Sequence, residues 1–330
     1  MVNKSLRQFV VGVDLGGTKI AVGLFTSEGK LTLQHLQPTR AQEGPQAVIE
    51  GLRQAIVRIV SQAGIDFSQL KGIGLAAAGA IDSHNGVVTL SPNLPGWRNI
   101  PLRQIMKDSL GVTTYLTNDA NAAALGEYLF GAGQNVANLV YVTVSTGIGG
   151  GIIINGEVYE GVSGAAGEVG HMTIDINGPA CNCGSNGCLE TLASGAALAR
   201  EAGRHIEAGE GVAILEASGG DLAQVSAKTV FLAAQQGDRL AGELIRQTGC
   251  YLGVGLANLV NIFNPELIII GGGLSNMGER LLEPARGVMR ERAYQISAST
   301  VRIVPAVLGN DSGLIGAAAW VLRQSAREGL

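Results

Sequence analysis

The hydrophobic pattern of the chain predicts short buried strands that alternate with amphipathic helices. Four apolar runs have the length and composition of strands, at residues 9–14, 19–25, 31–36 and 71–77. Apolar residues spaced three and four apart predict a helix at about residues 45–63. Its buried face is expected to consist of Val48, Leu52, Ala55, Ile56, Ile59 and Val60. After a loop rich in Gly, Pro and Asn, a strand at 113–117 leads into an Ala-rich helix at 119–130.

The pattern then restarts, which indicates an internal duplication. A strand at 139–144, a glycine turn at 147–151 and a strand at 152–154 repeat the strand–glycine–strand arrangement of residues 11–19. Asn155-Gly156 is a strong signal for a hairpin turn. Two similar units in one chain of this length predict two lobes.

We place the boundary between the lobes near residues 131–138. The N-terminal α/β lobe then covers residues 1–134 and the C-terminal α/β lobe residues 135–330. Helices dominate the second half, and we expect the last, at about 312–326, to pack back onto the first lobe. A third glycine run, residues 271–273, follows an apolar strand of the second lobe.

Composition indicates a well-packed protein and argues against several classes. Hydrophobic residues make up 46% and charged residues 15% of the 330 residues, enough for two cores. A net charge of -4 with no run of Lys or Arg argues against a nucleic-acid surface and a basic membrane anchor. No apolar stretch has the length of a membrane span, and residues 1–7 run into a strand instead of a signal-peptide core. The four cysteines, three of them clustered, favour a reducing, cytoplasmic location over a disulfide framework.

Two glycine turns are candidates for phosphate binding, because backbone N–H groups of such turns can converge on phosphate oxygens. We name residues 16–18 the first glycine turn and residues 146–149 the second glycine turn. A strand follows each of them, whereas a Walker loop or a dinucleotide fingerprint is followed by a helix. The alternative is that each is a plain tight hairpin. The adjoining Asp14 and Thr146 favour a pair of turns that grip one polyphosphate.

A second candidate lies where a strand ends and a helix begins, at Asn118-Asp119. Either residue suits a helix N-cap. A carboxylate flanked by the amides of Asn118 and Asn121 also suits a polyhydroxy ligand, whose hydroxyl proton Asp119 could accept during attack on a phosphoryl group. In the nearby loop at residues 91–97, Trp97 is expected either to pack on the face of a sugar or to belong to the core.

A third candidate is a set of soft ligands typical of a closed zinc site, namely His171, Cys181, Cys183 and Cys188. Four protein ligands leave no position for a catalytic water, so this zinc is expected to be structural. A group of buried thiols without metal is the alternative. Glu168 and Glu190 flank the cluster, as solvated surface charges or as acceptors for ligand hydroxyls. Cys250 is expected to be a small core residue.

Together these motifs resemble the ROK family of sugar kinases. The matching segments are residues 14–19, 78–82, 92–97, 118–123, 145–151, 168–171, 181–190 and 271–273. The resemblance implies an actin-like ATPase fold (ribonuclease H-like), α/β, with two lobes around a central cleft, each with a mixed sheet and flanking helices. It further implies ATP-dependent phosphorylation of a hexose at O6, with Mg²⁺ and a structural Zn²⁺.

The resemblance also implies residue roles. Asp119 is implied as the general base. The implied sugar ligands are Gly79, Ala80, Asn93, Asn118, Asp119, Gly147, Glu168, His171 and Glu190. The implied nucleotide-side residues are Asp14, which lies near Mg²⁺, with Gly16, Gly17, Thr18, Lys19, Thr146, Gly147, Gly272 and Gly273. The implied zinc ligands are His171, Cys181, Cys183 and Cys188.

Several alternatives stay open within this resemblance. The loop at 92–97 favours glucose, while fructose, N-acetylglucosamine and N-acetylmannosamine are the other candidate sugars. Polyphosphate could replace ATP as donor, and the oligomer is expected to be a dimer or a tetramer. A sugar-responsive repressor is disfavoured, because only eight residues precede the first strand. A zinc-stabilised sugar-binding protein without catalysis is disfavoured by the presence of Asp119 and both glycine turns.

Overall fold

Two five-stranded mixed sheets, a small three-stranded sheet and flanking helices make up the part of the chain that the computed structural model describes, residues 8–327. This arrangement confirms the predicted α/β class. The prediction that residues 1–7 do not belong to a signal-peptide core lies outside the described residues. The strands are β1 (Phe9–Leu15), β2 (Lys19–Thr26), β3 (Leu31–Pro38), β4 (Leu70–Ala77), β5 (Ala80–Asp82), β6 (Val87–Leu90), β7 (Arg98–Ile100), β8 (Thr114–Asn118), β9 (Leu139–Val144), β10 (Ile148–Ile154), β11 (Glu157–Val158), β12 (Leu267–Gly271) and β13 (Arg302–Pro305).

Eleven α-helices flank these sheets in the described residues. They are α1 (Pro45–Gln62), α2 (Leu102–Leu110), α3 (Asp119–Phe130), α4 (Leu189–Ala193), α5 (Gly195–Glu207), α6 (Val212–Ala217), α7 (Ala227–Gln235), α8 (Arg239–Phe263), α9 (Glu279–Arg292), α10 (Gln295–Thr300) and α11 (Ser312–Arg327). Between residues 8 and 327, no helix is both long and apolar enough to cross a membrane.

The two large sheets repeat one strand order, which confirms the predicted duplication. The first is ordered β3-β2-β1-β4-β8 and the second β11-β10-β9-β12-β13. In the first sheet, β1 pairs antiparallel with β2 and parallel with β4, and β4 is parallel to β8. In the second, β12 is parallel to both β9 and β13. The carboxyl ends of the three parallel strands in each sheet therefore lie along one edge, where ligands of α/β proteins collect.

Local sequence patterns correctly predicted α1 and the hairpin turn at Asn155-Gly156. The buried face of α1 consists of the six residues listed above for this helix. Asn155 and Gly156 have φ angles of 52° and 76° between the paired β10 and β11. Two positive φ values in a two-residue turn match the right-handed twist of the flanking strands.

Two predictions of local structure were wrong. The segment between β4 and β8 is not a plain loop, because it contains β5, β6, β7 and α2. The predicted turn at 147–151 is also too long, since β10 begins at Ile148. A Cβ at Gly151 would lie 2.5 Å from the carbonyl oxygen of Ala120 in α3. Glycine is needed there for the close approach of a helix and not for a turn.

The described chain divides into two compact units. The first comprises residues 8–135, Gly151–Gly167 and residues 307–327, and the second comprises Val136–Gly150 and Glu168–Ala306. The first unit thus includes residues 151–167, which the sequence-based boundary assigned to the second lobe. In the first unit α11 packs on α3, β1 and β4. The approach is close, since a Cβ at Gly316 would lie 1.7 Å from the carbonyl oxygen of Ala122.

Candidate active site and metal centre

In the first unit, the candidate residues lie at the carboxyl ends of β1, β4 and β8. Leu15 of β1 pairs with Ala77 of β4, and Ala77 pairs with Asn118 of β8. Neighbouring strands are about 4.8 Å apart. Asp14, Gly79 and the Asn118-Asp119 pair are therefore brought to one edge of this sheet.

The first glycine turn connects β1 to β2 and contacts the loop that contains Asn93. The N–H of Gly16 donates to the carbonyl of Lys19 at 3.0 Å, and the Thr39 hydroxyl donates to the carbonyl of Gly16 at 2.6 Å. A Cβ at Gly17 would lie 2.8 Å from the carbonyl oxygen of Asn93. The turn can thus hold this approach only with glycine at position 17.

Asp14 has an unusual electrostatic environment at the end of β1. Burial raises the pKa of its carboxyl to about 6, the charge of Lys19 lowers it, and the charge of Asp311 raises it. A Cβ at Gly313, in the first turn of α11, would lie 3.2 Å from the carboxyl carbon of Asp14. Sequence reasoning missed Asp311, because only the return of α11 to the first sheet places it near Asp14.

Asn118 is the N-cap of α3, as one of the two sequence interpretations predicted. Its Oδ1 accepts the N–H groups of Ala120 at 2.8 Å and Asn121 at 3.2 Å, and its Nδ2 donates to the carbonyl of Gly79 at 3.0 Å. The Oδ1 atom of Asp119 accepts the Ala120 N–H at 2.9 Å. These bonds fix the orientation of both side chains at the strand–helix junction.

Trp97 belongs to the core and not to a ligand surface. It is 1% exposed and packs in the main apolar cluster of the first unit, together with Leu94. The loop at residues 91–97 therefore presents Asn93, which is exposed, while it buries its two large apolar side chains.

In the second unit, Val144 and Ser145, which directly precede the second glycine turn, lie against the glycine run at 271–273. The hydroxyl of Ser145 accepts the N–H of Gly273 at 3.0 Å. Gly272 has φ 82°, and a Cβ there would lie 2.5 Å from the carbonyl oxygen of Val144. Thr146 is exposed. Ser145 was missed as a contributor, since its link to Gly273 spans 128 positions of sequence.

The four predicted metal ligands converge in the second unit. The ligand atoms of His171, Cys181, Cys183 and Cys188 all lie within 4.8 Å of one another. The sulfur atoms of Cys183 and Cys188 are 3.7 Å apart, and Nδ1 of His171 is 3.6 Å from the sulfur of Cys181. A tetrahedral zinc with bonds of about 2.0–2.3 Å requires separations of this size between its ligands. The residues therefore fit a structural zinc ion.

Two of the thiols in the cluster have shifted pKa values. Burial, followed by the neighbouring thiols of Cys181 and Cys183, raises the pKa of Cys188 to about 12. A hydrogen bond from the backbone of Ser185 is the main cause that lowers the pKa of Cys183. A bound cation removes the cost of placing thiolates together, because it stabilises their charged form. Cys250 lies outside this cluster and is half-buried beside Arg246, so the prediction of a core residue was wrong.

The carboxylates beside the cluster differ in their contacts. Oε2 of Glu168 lies 4.0 Å from Nε2 of His171, the ring nitrogen that faces away from Cys181. Oε2 of Glu190 accepts the N–H of Ile148, the first residue of β10, at 2.8 Å. Glu190 thus reaches the second glycine turn, whereas Glu168 lies beside the metal ligand His171.

The duplicated mixed sheets and the Cys₃His cluster define an α/β protein with a candidate zinc site, and solved relatives confirm the actin-like ATPase fold. The chain belongs to the ROK family, which it matches over residues 10–324. It is 36% identical over 312 residues to a glucokinase from Thermotoga maritima, covering 94% of this chain and 96% of the relative.

Two further comparisons show the range of this family. A putative xylose repressor from Caldicellulosiruptor sp. is 35% identical over 321 residues, which cover 97% of this chain and 79% of the repressor. The crystal structure of a ROK family glucokinase from Streptomyces griseus, in complex with glucose and AMPPNP, aligns with a TM-score of 0.84 at 36% identity. That alignment covers 96% of this chain and 99% of the glucokinase chain.

Proposed function

We propose that this chain is an ATP-dependent glucokinase that transfers a phosphoryl group to O6 of glucose, giving glucose 6-phosphate and ADP. The observation that carries the proposal is the placement of Asp119, directly after the N-cap Asn118 at the carboxyl end of β8. Its carboxylate is fixed by the Ala120 N–H. The similarity to two glucokinases supports the choice of reaction.

In the proposed mechanism, Asp119 is the general base. The O6 hydroxyl of the sugar attacks the γ-phosphorus and gives its proton to the Asp119 carboxylate. A bond forms between O6 and phosphorus, the bond between phosphorus and the β–γ bridging oxygen breaks, and ADP leaves with that electron pair. Asn118 orients this step, because its Oδ1 caps α3 while its Nδ2 ties β8 to Gly79.

Each unit contains residues that can bind the hydroxyls of the proposed sugar. In the first unit these are Gly79, Ala80, Asn93 and Asn118. In the second unit they are Gly147, Glu168, His171 and Glu190. Carboxylates accept sugar hydroxyls in charge-assisted hydrogen bonds, which are stronger than neutral ones. The proposed zinc, held by His171 and the three thiols, supplies rigidity and fixes the imidazole so that its Nε2 can face a hydroxyl.

The nucleotide is held by the two glycine turns and the third glycine run. Residues Asp14, Gly16, Gly17, Thr18 and Lys19 form the first contact set, and Thr146, Gly147, Gly272 and Gly273 form the second. Lys19 and the turn N–H groups neutralise phosphate charge. Asp14 is the residue that would hold Mg²⁺, which supplies charge compensation for the transferring phosphoryl group. Its partly buried carboxyl is suited to a cation, since ionisation there is costly without one.

A coupled ADP-release assay tests the proposal. ATP is offered with glucose, fructose, N-acetylglucosamine and N-acetylmannosamine in parallel, and polyphosphate replaces ATP in a second series. We expect the highest kcat/KM with glucose and ATP, and glucose 6-phosphate as the product. Absence of glucose-dependent ADP release refutes the proposal. A higher kcat/KM with an N-acetylated sugar would make that sugar the substrate instead of glucose.

A second candidate is a sugar-responsive regulator, which is favoured by one observation, the 35% identity to a putative xylose repressor. Such a protein binds sugar without consuming a nucleotide. Sugar binding by calorimetry, combined with no ADP release for any sugar, would favour the regulator over the kinase.

A further inference from the structure

Ile148 is held on both sides by the Cys₃His segment, which we define as residues 168–190. Its N–H donates to Oε2 of Glu190 at 2.8 Å. Its carbonyl oxygen lies 2.1 Å from the position that a Cβ of Gly170 would occupy. Ile148 is the residue at which the second glycine turn becomes β10, so the segment contacts this turn at its junction with the sheet.

Gly147 makes the contact with Glu190 possible. A Cβ at position 147 would lie 2.3 Å from Oε2 of Glu190, so only glycine leaves room for the carboxylate to reach the Ile148 N–H. The next helix, α5, holds the same turn, since the Gly195 N–H donates to the carbonyl of Ser145 at 2.7 Å and the Ala196 N–H to that of Thr146 at 3.2 Å. Glu190 of the Cys₃His segment and the start of α5 therefore both hold the turn.

The two contacts on Ile148 come from residues next to metal ligands. Cys188 is the N-cap of α4, and Glu190 follows it by two positions in the first turn of that helix. Gly170 precedes His171 in a single helical turn, Val169–His171. A metal ion held by His171 and the three thiols would therefore also hold the backbone that presents both contacts.

We propose that Glu190 is a positioning residue for the second glycine turn, and that the Cys₃His segment sets nucleotide affinity through it. This inference rests on the proposed function, in which the turn binds nucleotide phosphate. It adds to the proposed role of Glu190 as a sugar ligand: one carboxylate oxygen shapes the phosphate-binding turn while the carboxylate also accepts a hydroxyl.

Glu168 provides a matched control, because it is a carboxylate of the same segment but lies beside His171. If the two carboxylates served the sugar alone, their removal would affect the same binding step. The proposal separates them. Glu190→Ala weakens both sugar and nucleotide binding. Glu168→Ala weakens sugar binding and leaves nucleotide binding within about two-fold, because the Ile148 N–H donates to Glu190 and not to Glu168.

The test is calorimetric titration of the zinc-loaded protein with AMPPNP and Mg²⁺, without sugar. A hydrogen bond to a charged acceptor predicts at least about a ten-fold rise in the nucleotide Kd for Glu190→Ala. Glu190→Gln keeps a carbonyl acceptor for Ile148, so it should restore the nucleotide Kd to within about three-fold of wild type while sugar binding stays weak. A wild-type nucleotide Kd in Glu190→Ala overturns the inference. A wild-type protein that binds no AMPPNP contradicts the proposed function as well.

Hydrogen–deuterium exchange provides a second readout that does not depend on ligands. A peptide covering residues 145–150 should exchange faster in Glu190→Ala than in Glu168→Ala or Glu190→Gln, because only the alanine variant at 190 frees the Ile148 N–H. Equal protection in all three variants overturns the inference. Zinc content and the thermal transition of each variant show that the comparison is between folded, metal-loaded proteins.

Discussion

The amide nitrogen of Asn118 donates a hydrogen bond to the carbonyl oxygen of Gly79 at 3.0 Å, so one side chain links the ends of two parallel strands. The same side chain caps α3 through its Oδ1 atom. Asn118→Ala is expected to lower the free energy of unfolding by about 1–2 kcal/mol, as loss of an N-cap does. It should also lower kcat, because the neighbouring Asp119 loses its fixed orientation.

Asp238→Ala is the control for this prediction. Asp238 caps α8 by accepting the Ala241 N–H at 2.7 Å, and it has no role in the proposed site. Urea unfolding should show a similar loss of stability in both variants, with kcat reduced only in Asn118→Ala. Equal kcat values would mean that Asn118 acts only as a cap.

Asp119 is expected to affect catalysis far more than binding. Asp119→Ala and Asp119→Asn should each lower kcat at least about 100-fold, since both remove the base. Calorimetry should show glucose binding close to that of wild type, because the other sugar ligands are unchanged. A variant that turns over at a near-normal rate would refute the assignment of the base.

Cys183→Ser tests the metal centre. Cys183 is one of the four residues whose ligand atoms lie within 4.8 Å of one another, so its replacement should lower the zinc content. We expect glucose binding to weaken at least about ten-fold, as loss of support around a metal ligand does elsewhere. Cys250→Ser, outside the cluster, should keep both zinc and glucose affinity. A zinc-free Cys183→Ser protein with normal glucose affinity would break the proposed link.

The pKa of Asp14 predicts a pH-dependent stability in the metal-free protein. Burial raises the pKa of this carboxyl from 3.8 to about 6, so the folded state binds the proton more tightly than the unfolded state. Stability from this group is therefore present below about pH 4 and is lost as the pH rises through about 6. Asp14→Asn should consequently be more stable than wild type at pH 7.5, by up to about 3 kcal/mol.

Urea unfolding with a chelator present measures this difference. The difference in unfolding free energy between Asp14→Asn and wild type should be smaller at pH 4.5, because the wild-type carboxyl is then protonated in the folded state. A gap of the same size at both pH values would mean that the burial of Asp14 is not its cause.

Glu127 is a buried carboxylate that the proposed mechanism does not use. It is 0% exposed, and it accepts the N–H groups of Ala132 at 2.9 Å and Leu308 at 2.8 Å and the hydroxyl of Ser312 at 3.1 Å. Glu127→Ala removes the acceptor of the Ala132 and Leu308 N–H groups, while the Ser312 hydroxyl keeps the carbonyl of Gly309 as an acceptor. The substitution should cost about 3–4 kcal/mol of unfolding free energy. Glu50→Ala, which removes an exposed partner of Arg53, should leave the free energy of unfolding nearly unchanged, because solvent screens such a surface pair.

Local sequence patterns were enough to predict those elements that are defined by residues close in sequence. The apolar stripe of α1, the Asn155-Gly156 turn and the repeated strand–glycine–strand unit all follow from spacing and turn chemistry. The cysteine spacing likewise predicted a cluster that the fold assembles. Each of these predictions depends only on residues that are close in sequence, because hydrophobic periodicity and a positive φ angle are local properties.

Local patterns failed where distant segments decide a residue's surroundings. Three short strands and α2 lie in a stretch that its Gly, Pro and Asn content assigned to a loop, since such short elements are stabilised by packing. Gly151 was assigned to a turn but lies in β10, where the lack of a side chain allows the close approach of α3.

The sequence by itself therefore determined the α/β class, the duplication and the identity of the chemical groups. Only the tertiary structure decided which of these groups interact. It places Asp311 near Asp14, bonds Ser145 to Gly273, and bonds the Ile148 N–H to Glu190, which is 42 positions away. The reason is that a hydrogen bond across such a distance depends on where whole helices dock. No periodicity in the intervening residues records that docking.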